Sequence, residues 1–319
     1  MTRQGLVPTS DAIATITSSG IRNAVLDRTV MWLAALFMVM VLMSAWLGWS
    51  ATATTNEIYA QASVALQAEG RPVPPNPTIS NSPLAMLRNM TTYMSLLGAL
   101  VAIVLGHQMI IDDRRSGVFP LLASRPFSRA SYASAKLLAL FLTLLGLLVV
   151  AAVTNALTLL VLPGPRATAA DWLGLLAFYG ISGLYLLLFG LLALTAGALF
   201  RSETMALLVP ITIWMALLFI LPQVAANINP MAALNPVKAM VAPPGGAFFS
   251  LAGPLLAPVS FTSTYRDLTA TILGFAPADI AGLGTFGGIL SLAIANIVLG
   301  GAAIVSLLRL DPTRSDTSE

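Results

Sequence analysis

Six stretches of the chain stay apolar long enough to cross a bilayer, which takes about 20 residues of helix. They are read as spans near 29–49, 90–111, 132–162, 172–200, 205–222 and 283–308. The third and fourth are overlong and are expected to tilt or to extend past the hydrocarbon. The alternation of a membrane barrel is absent. In lipid the backbone must satisfy its own hydrogen bonds, so each span is a helix. The expected fold is therefore all-α, a polytopic membrane protein with six transmembrane helices. Before the first span, Ile13, Ile16, Ile21, Val25 and Leu26 recur roughly on one helical face, with Asp11, Arg22, Asp27 and Arg28 between them. That pattern predicts an amphipathic helix on the membrane surface, bent at Ser18-Ser19-Gly20; a disordered tail is the alternative.

The polar intervals divide the chain into a segment 1–28, a membrane domain 29–309 and a tail 310–319. Placing the N-terminus inside leaves Arg3, Arg22, Arg28, Arg114, Arg115, Arg125, Arg129, Lys136, Arg201, Arg309 and Arg314 inside. Only Arg71, Arg88, Arg166, Lys238 and Arg266 then fall outside. Basic residues concentrate on the cytoplasmic side, so both termini are expected there. A cleaved signal peptide is disfavoured: the first apolar core is too long, and about 30 residues precede it. The outer segment 51–88 begins helix-compatible and then stiffens at Arg71-Pro-Val-Pro-Pro-Asn-Pro77, an extended linker. The outer segment 223–282 is apolar yet broken by Asn229-Pro230, Asn235-Pro236 and Pro243-Pro244-Gly245-Gly246. It suits short helices at or dipping into the outer leaflet.

Composition sharpens this picture. The chain is 57% hydrophobic and only 9% charged, where a soluble domain carries about a quarter charged residues. Its solvent is largely lipid. A net charge of +3 argues for no nucleic-acid partner, and the absence of cysteine excludes disulfides and thiolate chemistry. The scarce charge is concentrated between the second and third spans, in Asp112, Asp113, Arg114, Arg115, Arg125, Arg129 and Lys136. Arginines there hold a loop inside, but that does not explain the order of the rest. Gly117 permits a sharp turn. Leu121, Leu122 and Phe127 offer an apolar knob, Pro126 stops one short helix, and Ser128 is placed to cap the next. A short amphipathic helix between charges is what a soluble partner needs to push on a membrane domain. Asp113 and Arg129 are expected at a wet boundary.

These residues resemble the type-two ABC transporter permeases. In that family an acidic residue, a glycine, a Leu-Leu pair, a Ser-x-Pro-x-Ser-Arg turn and a lysine join the second and third spans. Here they read Asp113, Gly117, Leu121-Leu122, Ser124-Arg-Pro-Phe-Ser-Arg129 and Lys136. Asn235-Pro236 after the fifth span and Leu308-Arg309-Leu310-Asp311 closing the sixth extend the likeness. Among subgroups it looks closest to the permeases related to the nitrous-oxide-reductase maturation transporter. Asp113, Val118 and Ala135 stand where Glu, Thr and Gly are usual.

The resemblance implies an ATP-driven transporter of the bacterial inner membrane, exporting by analogy. It implies two copies of this chain and two ATPase subunits that hold the ATP and Mg. No Gly-x-x-x-x-Gly-Lys-Ser/Thr loop is present, so this chain cradles no nucleotide by that route. The implied coupling residues are Asp112, Asp113, Arg114, Arg115, Gly117, Leu121, Leu122, Arg125, Pro126, Ser128, Arg129 and Lys136, with Arg201 and Glu203 in a secondary contact. The implied path runs between the second and fifth spans of two copies, with Met90, Met94, Gln223 and Asn227 as candidate lining. A periplasmic accessory protein is a further candidate partner, beside membrane lipid.

Other features have plainer readings. Gly183, Gly190 and Gly197, and Gly284 and Gly288, are read as close packing within the chain. A methionine stripe at Met86, Met90 and Met94 is read as flexible apolar surface rather than a copper site. His107 is read as a hydrogen-bonded boundary residue. Asn155, Asn227 and Asn296 are expected to face the protein interior. A membrane enzyme lacks converging nucleophile and base in these spans, and a secondary transporter lacks matching halves. A membrane anchor or signalling permease for an external partner remains the alternative.

Overall fold

Alanine and leucine make the apolar runs strong helix formers, and the computed structural model is built accordingly. It describes residues 9–76, 82–115, 128–161, 167–222, 255–275 and 284–310, which contain helices and no strand. In chain order these are α1 (Thr9–Leu26), α2 (Arg28–Ala68), α3 (Pro83–Arg115), α4 (Arg129–Val161), α5 (Ala169–Leu199), α6 (Glu203–Ile220), the short α7 (Phe261–Ile272) and α8 (Gly284–Leu308). α2 to α6 and α8 are long and apolar enough to span, one for each expected stretch. The protein is an all-α polytopic membrane protein.

α3 and α5 form the centre. Most of the apolar stretch of each is buried, whereas α2, α4, α6 and α8 bury only a minority of theirs. The exposed faces of those four carry Leu36, Phe141, Val149, Phe219 and Ile297, which suit lipid. Glycines set the central packing. A Cβ at Gly106 of α3 would sit 2.2 Å from the Gly190 carbonyl oxygen of α5, so the two backbones touch. Gly190 also receives Leu140 of α4 at 3.2 Å, and Gly197 receives Ile110 at 3.4 Å. The seven-residue glycine spacing on α5 therefore serves packing within the chain, as expected. On α8, Gly288 meets Thr264 of α7 at 3.0 Å, while Gly284 has nothing within 4 Å and starts the helix at φ +70°.

α3 is interrupted by a π-helical stretch, Met94–Gly98. Such a stretch frees carbonyls from the regular ladder, and the Ser95 carbonyl accepts the Trp214 indole of α6 at 3.3 Å. Met90 and Met94 are 0% exposed. The methionine stripe is core rather than flexible surface, because α3 lies at the centre of the bundle.

α7 lies within residues 255–275, the described part of the segment 223–282. Its Tyr265 stacks on Tyr185 of α5 with ring centroids 4.4 Å apart. Tyr265 and Ser182 hydroxyls lie 2.9 Å apart, and Thr262 and Tyr185 hydroxyls 3.1 Å. Further along, Ile272 approaches Gly174 near the start of α5. α7 thus runs antiparallel beside one half of α5 and does not span. Burial pushes the Tyr265 phenol well above its usual range and also raises the half-buried Asp267 carboxyl.

One further expectation is extended by the structure and another is corrected. The first span was placed near 29–49 with a helix-compatible segment after it, and α2 runs through both without a break to Ala68, 41 residues or about 60 Å at 1.5 Å per residue. Hydropathy falls after Trp49, yet the sequence there holds no proline and remains alanine-rich, so the helix has no reason to stop. The extended linker folds back on it: Tyr59 donates to the Pro74 carbonyl at 2.7 Å, and Asn76 to Asn56 at 3.1 Å.

The correction concerns α1, expected to bend at Ser18-Ser19-Gly20, which runs unbroken through them. The two serine hydroxyls bond back to the carbonyls of Thr15 and Ile16. Gly20 does not bend the helix but admits Ala139 of α4, which a Cβ there would approach to 3.1 Å. The buried face is Thr17, Gly20 and Ala24 with Ile13, Ile16 and Ile21 beside it, while Val25 and Leu26 are exposed.

Candidate functional site

Charged side chains gather where α3, α5 and α8 end and α4 and α6 begin. Helix C-termini present unpaired carbonyls and negative potential, which favour cations. Arg114 donates to the carbonyl of Phe200, the residue that caps α5, at 2.8 Å. Arg129, at the start of α4, donates to the carbonyl of Leu308, the last residue of α8, at 3.2 Å. Arg115 grips the carboxylate of Glu203 in the first turn of α6, its Nε at 3.0 and 3.1 Å from the two oxygens. Asp113 accepts from Lys136 Nζ and from the Tyr132 hydroxyl of α4, each at 2.7 Å. These contacts join α3 to α4, α5 and α6, and α4 to α8.

The contacts differ in environment. Arg115 and Glu203 keep 61% and 41% of their side chains exposed, so their pair is a hydrated surface bridge. Lys136 and Asp113 keep 4% and 14%. The Lys136 ammonium also lies over the Tyr132 ring, 5.6 Å from its centroid, an attractive geometry for a cation. α1 closes this corner from outside. Its small residues Gly20 and Ala24, with Asn23, border a recess floored by Asp112, Asp113 and Lys136. Thr17 donates to the Ala135 carbonyl, one residue before the lysine, at 3.3 Å.

Asp113 therefore does not stand at a wet boundary, whereas Arg129 is exposed as expected. The expectation failed for Asp113 because a charge in the sequence was equated with exposure, while the fold pairs it with Lys136, 23 residues further on. Arg114, Arg115, Glu203 and Arg129 are exposed or partly so, yet each already holds another helix end. Asp112 is half-buried in the recess, Arg201 is exposed, and Ser128 caps α4 by accepting from the Ser131 amide at 3.1 Å. Gly117, Leu121, Leu122, Arg125, Pro126, Gln223 and Asn227 lie outside the described residues. Met90 and Met94 are buried in the core of this chain.

Sequence reasoning missed Tyr132. Its one signal is position, a single helical turn before Lys136. His107 lies near the charged end as expected, hydrogen-bonded to the Ala206 backbone in the first turn of α6; it is buried, and its Nδ1 has no hydrogen-bond partner among the described residues. Asn155 donates to Tyr179 at 2.7 Å and Asn296 to the Leu184 carbonyl at 2.9 Å, both toward the interior and from helix to helix. Among the described residues no three acidic or histidine side chains converge on a metal position.

The family model described as ABC-2 family transporter protein matches residues 14–311, from within α1 to just past α8. A search of curated proteins gave no significant match.

Proposed function

Because the chain belongs to the ABC-2 family of transporter proteins, as a transmembrane permease subunit that is not itself catalytic, we propose that it is driven by a separate ABC ATPase subunit. That subunit holds the ATP and Mg, and the 112–129 region receives its motion. The observation supporting this reading is the charged end. There, side chains from α3 and α4 hold five span ends together, at the place where residues 116–127 join α3 to α4. A push delivered to that segment reaches all five of these spans. Arg201 and the polar face of α1 lie on the same end and serve as secondary contacts.

In this reading the charged end faces the cytoplasm of a bacterial inner membrane, and both termini lie there. Two copies pair with two ATPases, since two-fold closure is the commonest assembly, and transport is outward. The path runs between α3 and α6 of the two copies, past Gln223 and Asn227. Met90 and Met94 are assigned to packing instead. The loop motif from Asp113 to Lys136 further supports a relation to the nitrous-oxide-reductase maturation permeases.

The test is purification of the tagged chain from its native host membrane. An ABC ATPase should copurify, with ATP hydrolysis in the complex and none by the chain alone. Hydrolysis by the isolated chain, or a complex without any ATPase, rejects the assignment. One observation favours the reading of an anchor for an external partner: α2 continues well past its apolar section into solvent. A periplasmic protein in the purified complex, with no ATP-dependent change in the membrane subunit, would select that reading.

A further inference from the structure

The Asp113–Lys136 pair and Tyr132 have no evident role in docking, because they are turned inward. Lys136 approaches Asp113 at 2.7 Å, Tyr132 donates to the same carboxylate at 2.7 Å, and the tyrosine ring backs the ammonium. Two of the three groups lie on α4 one turn apart, and the third lies in the last turn of α3. The residues that join α3 to α4 in sequence fall between them. An ion pair so little exposed is costly to hydrate or to break on one side, and a fully bonded polar cluster fixes the helices that carry it.

We propose that Asp113, Lys136 and Tyr132 form a clasp across the two roots of the 116–127 segment, with Tyr132 as its positioning residue. The clasp makes the end of α3 and the start of α4 move as one body. Motion of the segment then passes into both helices instead of being lost as a change in their separation. α4 carries the motion on to α8 through Arg129, and α3 carries it to α5 and α6 through Arg114 and Arg115. α1 narrows the approach to the clasp: Gly20 and Ala24 border the recess beside it, and Thr17 is bonded to the residue before Lys136. The inference rests on the ATPase-driven reading, and it assigns these three residues to transmission rather than to ATPase binding.

The experiment uses the full complex with its copurified ATPase. Because the chain has no cysteine, a single cysteine at Val161, the exposed last residue of α4, reports on that helix alone. Its reaction rate with a membrane-impermeant maleimide is measured with and without ATP and vanadate. Tyr132→Phe keeps the ring over Lys136 and removes only the hydroxyl. It should bind the ATPase as the parent does, while the ATP-dependent change in labelling falls about tenfold, the weight of one hydrogen bond to a charged group. Asp113→Lys with Lys136→Asp should recover part of what either single substitution loses. If one of those singles does not fold, Tyr132→Phe and the paired Asp113→Asn, Lys136→Met variant decide the matter. An undiminished ATP response in both rejects the clasp. Loss of ATPase binding in Tyr132→Phe also rejects it, in favour of a docking role. Absence of any ATP response in the parent counts instead against the ATPase-driven reading.

Discussion

Lys136 Nζ lies 2.7 Å from Asp113 Oδ2, and the two side chains keep only 4% and 14% of their surface exposed. Removing one partner strands the other charge. Asp113→Ala should therefore cost about 3–5 kcal/mol, whereas Asp113→Leu combined with Lys136→Met should cost much less. Thermal denaturation in detergent, read as a double-mutant cycle, checks the order. A single substitution that is milder than the pair would show that the ion pair is well hydrated.

The exposed bridge from Arg115 to Glu203 should behave in the opposite way. Glu203→Gln should change stability by less than about 1 kcal/mol, and the effect should fade in high salt. Melting curves at low and high ionic strength distinguish this bridge from the Asp113–Lys136 pair.

Gly106→Ala would place a methyl 2.2 Å from the Gly190 carbonyl oxygen, where neither backbone can yield without separating α3 from α5. A loss of at least about 1–3 kcal/mol is expected from overpacking. Gly146→Ala on α4 meets nothing within 4 Å and should be neutral or mildly stabilising by helix propensity. Fluorescence-detected size exclusion after graded heating ranks the two.

Asp267 on α7 has its carboxyl raised by burial. The folded state then holds this proton more readily than the unfolded state does. The contribution is stabilising below the unfolded carboxyl range and is lost as pH rises through the elevated folded value. Asp267→Asn should remove that dependence. The difference in melting temperature between variant and parent should grow in the variant's favour from acidic to neutral pH.

Much of this was legible from the chain. The six spans were visible because lipid demands long apolar runs, and the run lengths left little freedom. The glycine seam on α5 was visible because its spacing repeats. The extension of α2 was visible only as helix-compatible sequence and not as one continuous helix, since hydropathy reports preference for lipid while helix formation follows propensity, and only the former drops after Trp49. The burial of Lys136 was hidden for a different reason. It depends on Tyr132 and Asp113 meeting across a loop and on α1 lying over them, and no local pattern encodes those long-range contacts. The packing face of α1 was misread because large side chains were weighed above Gly20 and Ala24, whose value lies in their small size.

The length of α2 also fixes a distance. Trp32 and Trp46 are exposed on one helix, and tryptophans favour the two edges of the hydrocarbon. Residues 50–68 then rise about 28 Å beyond the Trp49 level at 1.5 Å per residue, nearly a second membrane thickness. Any soluble body approaching that face of the membrane meets the tip of α2 well before it meets lipid. The helix is a mast, and it carries its tip at Ala68 clear of the apolar section that crosses the membrane.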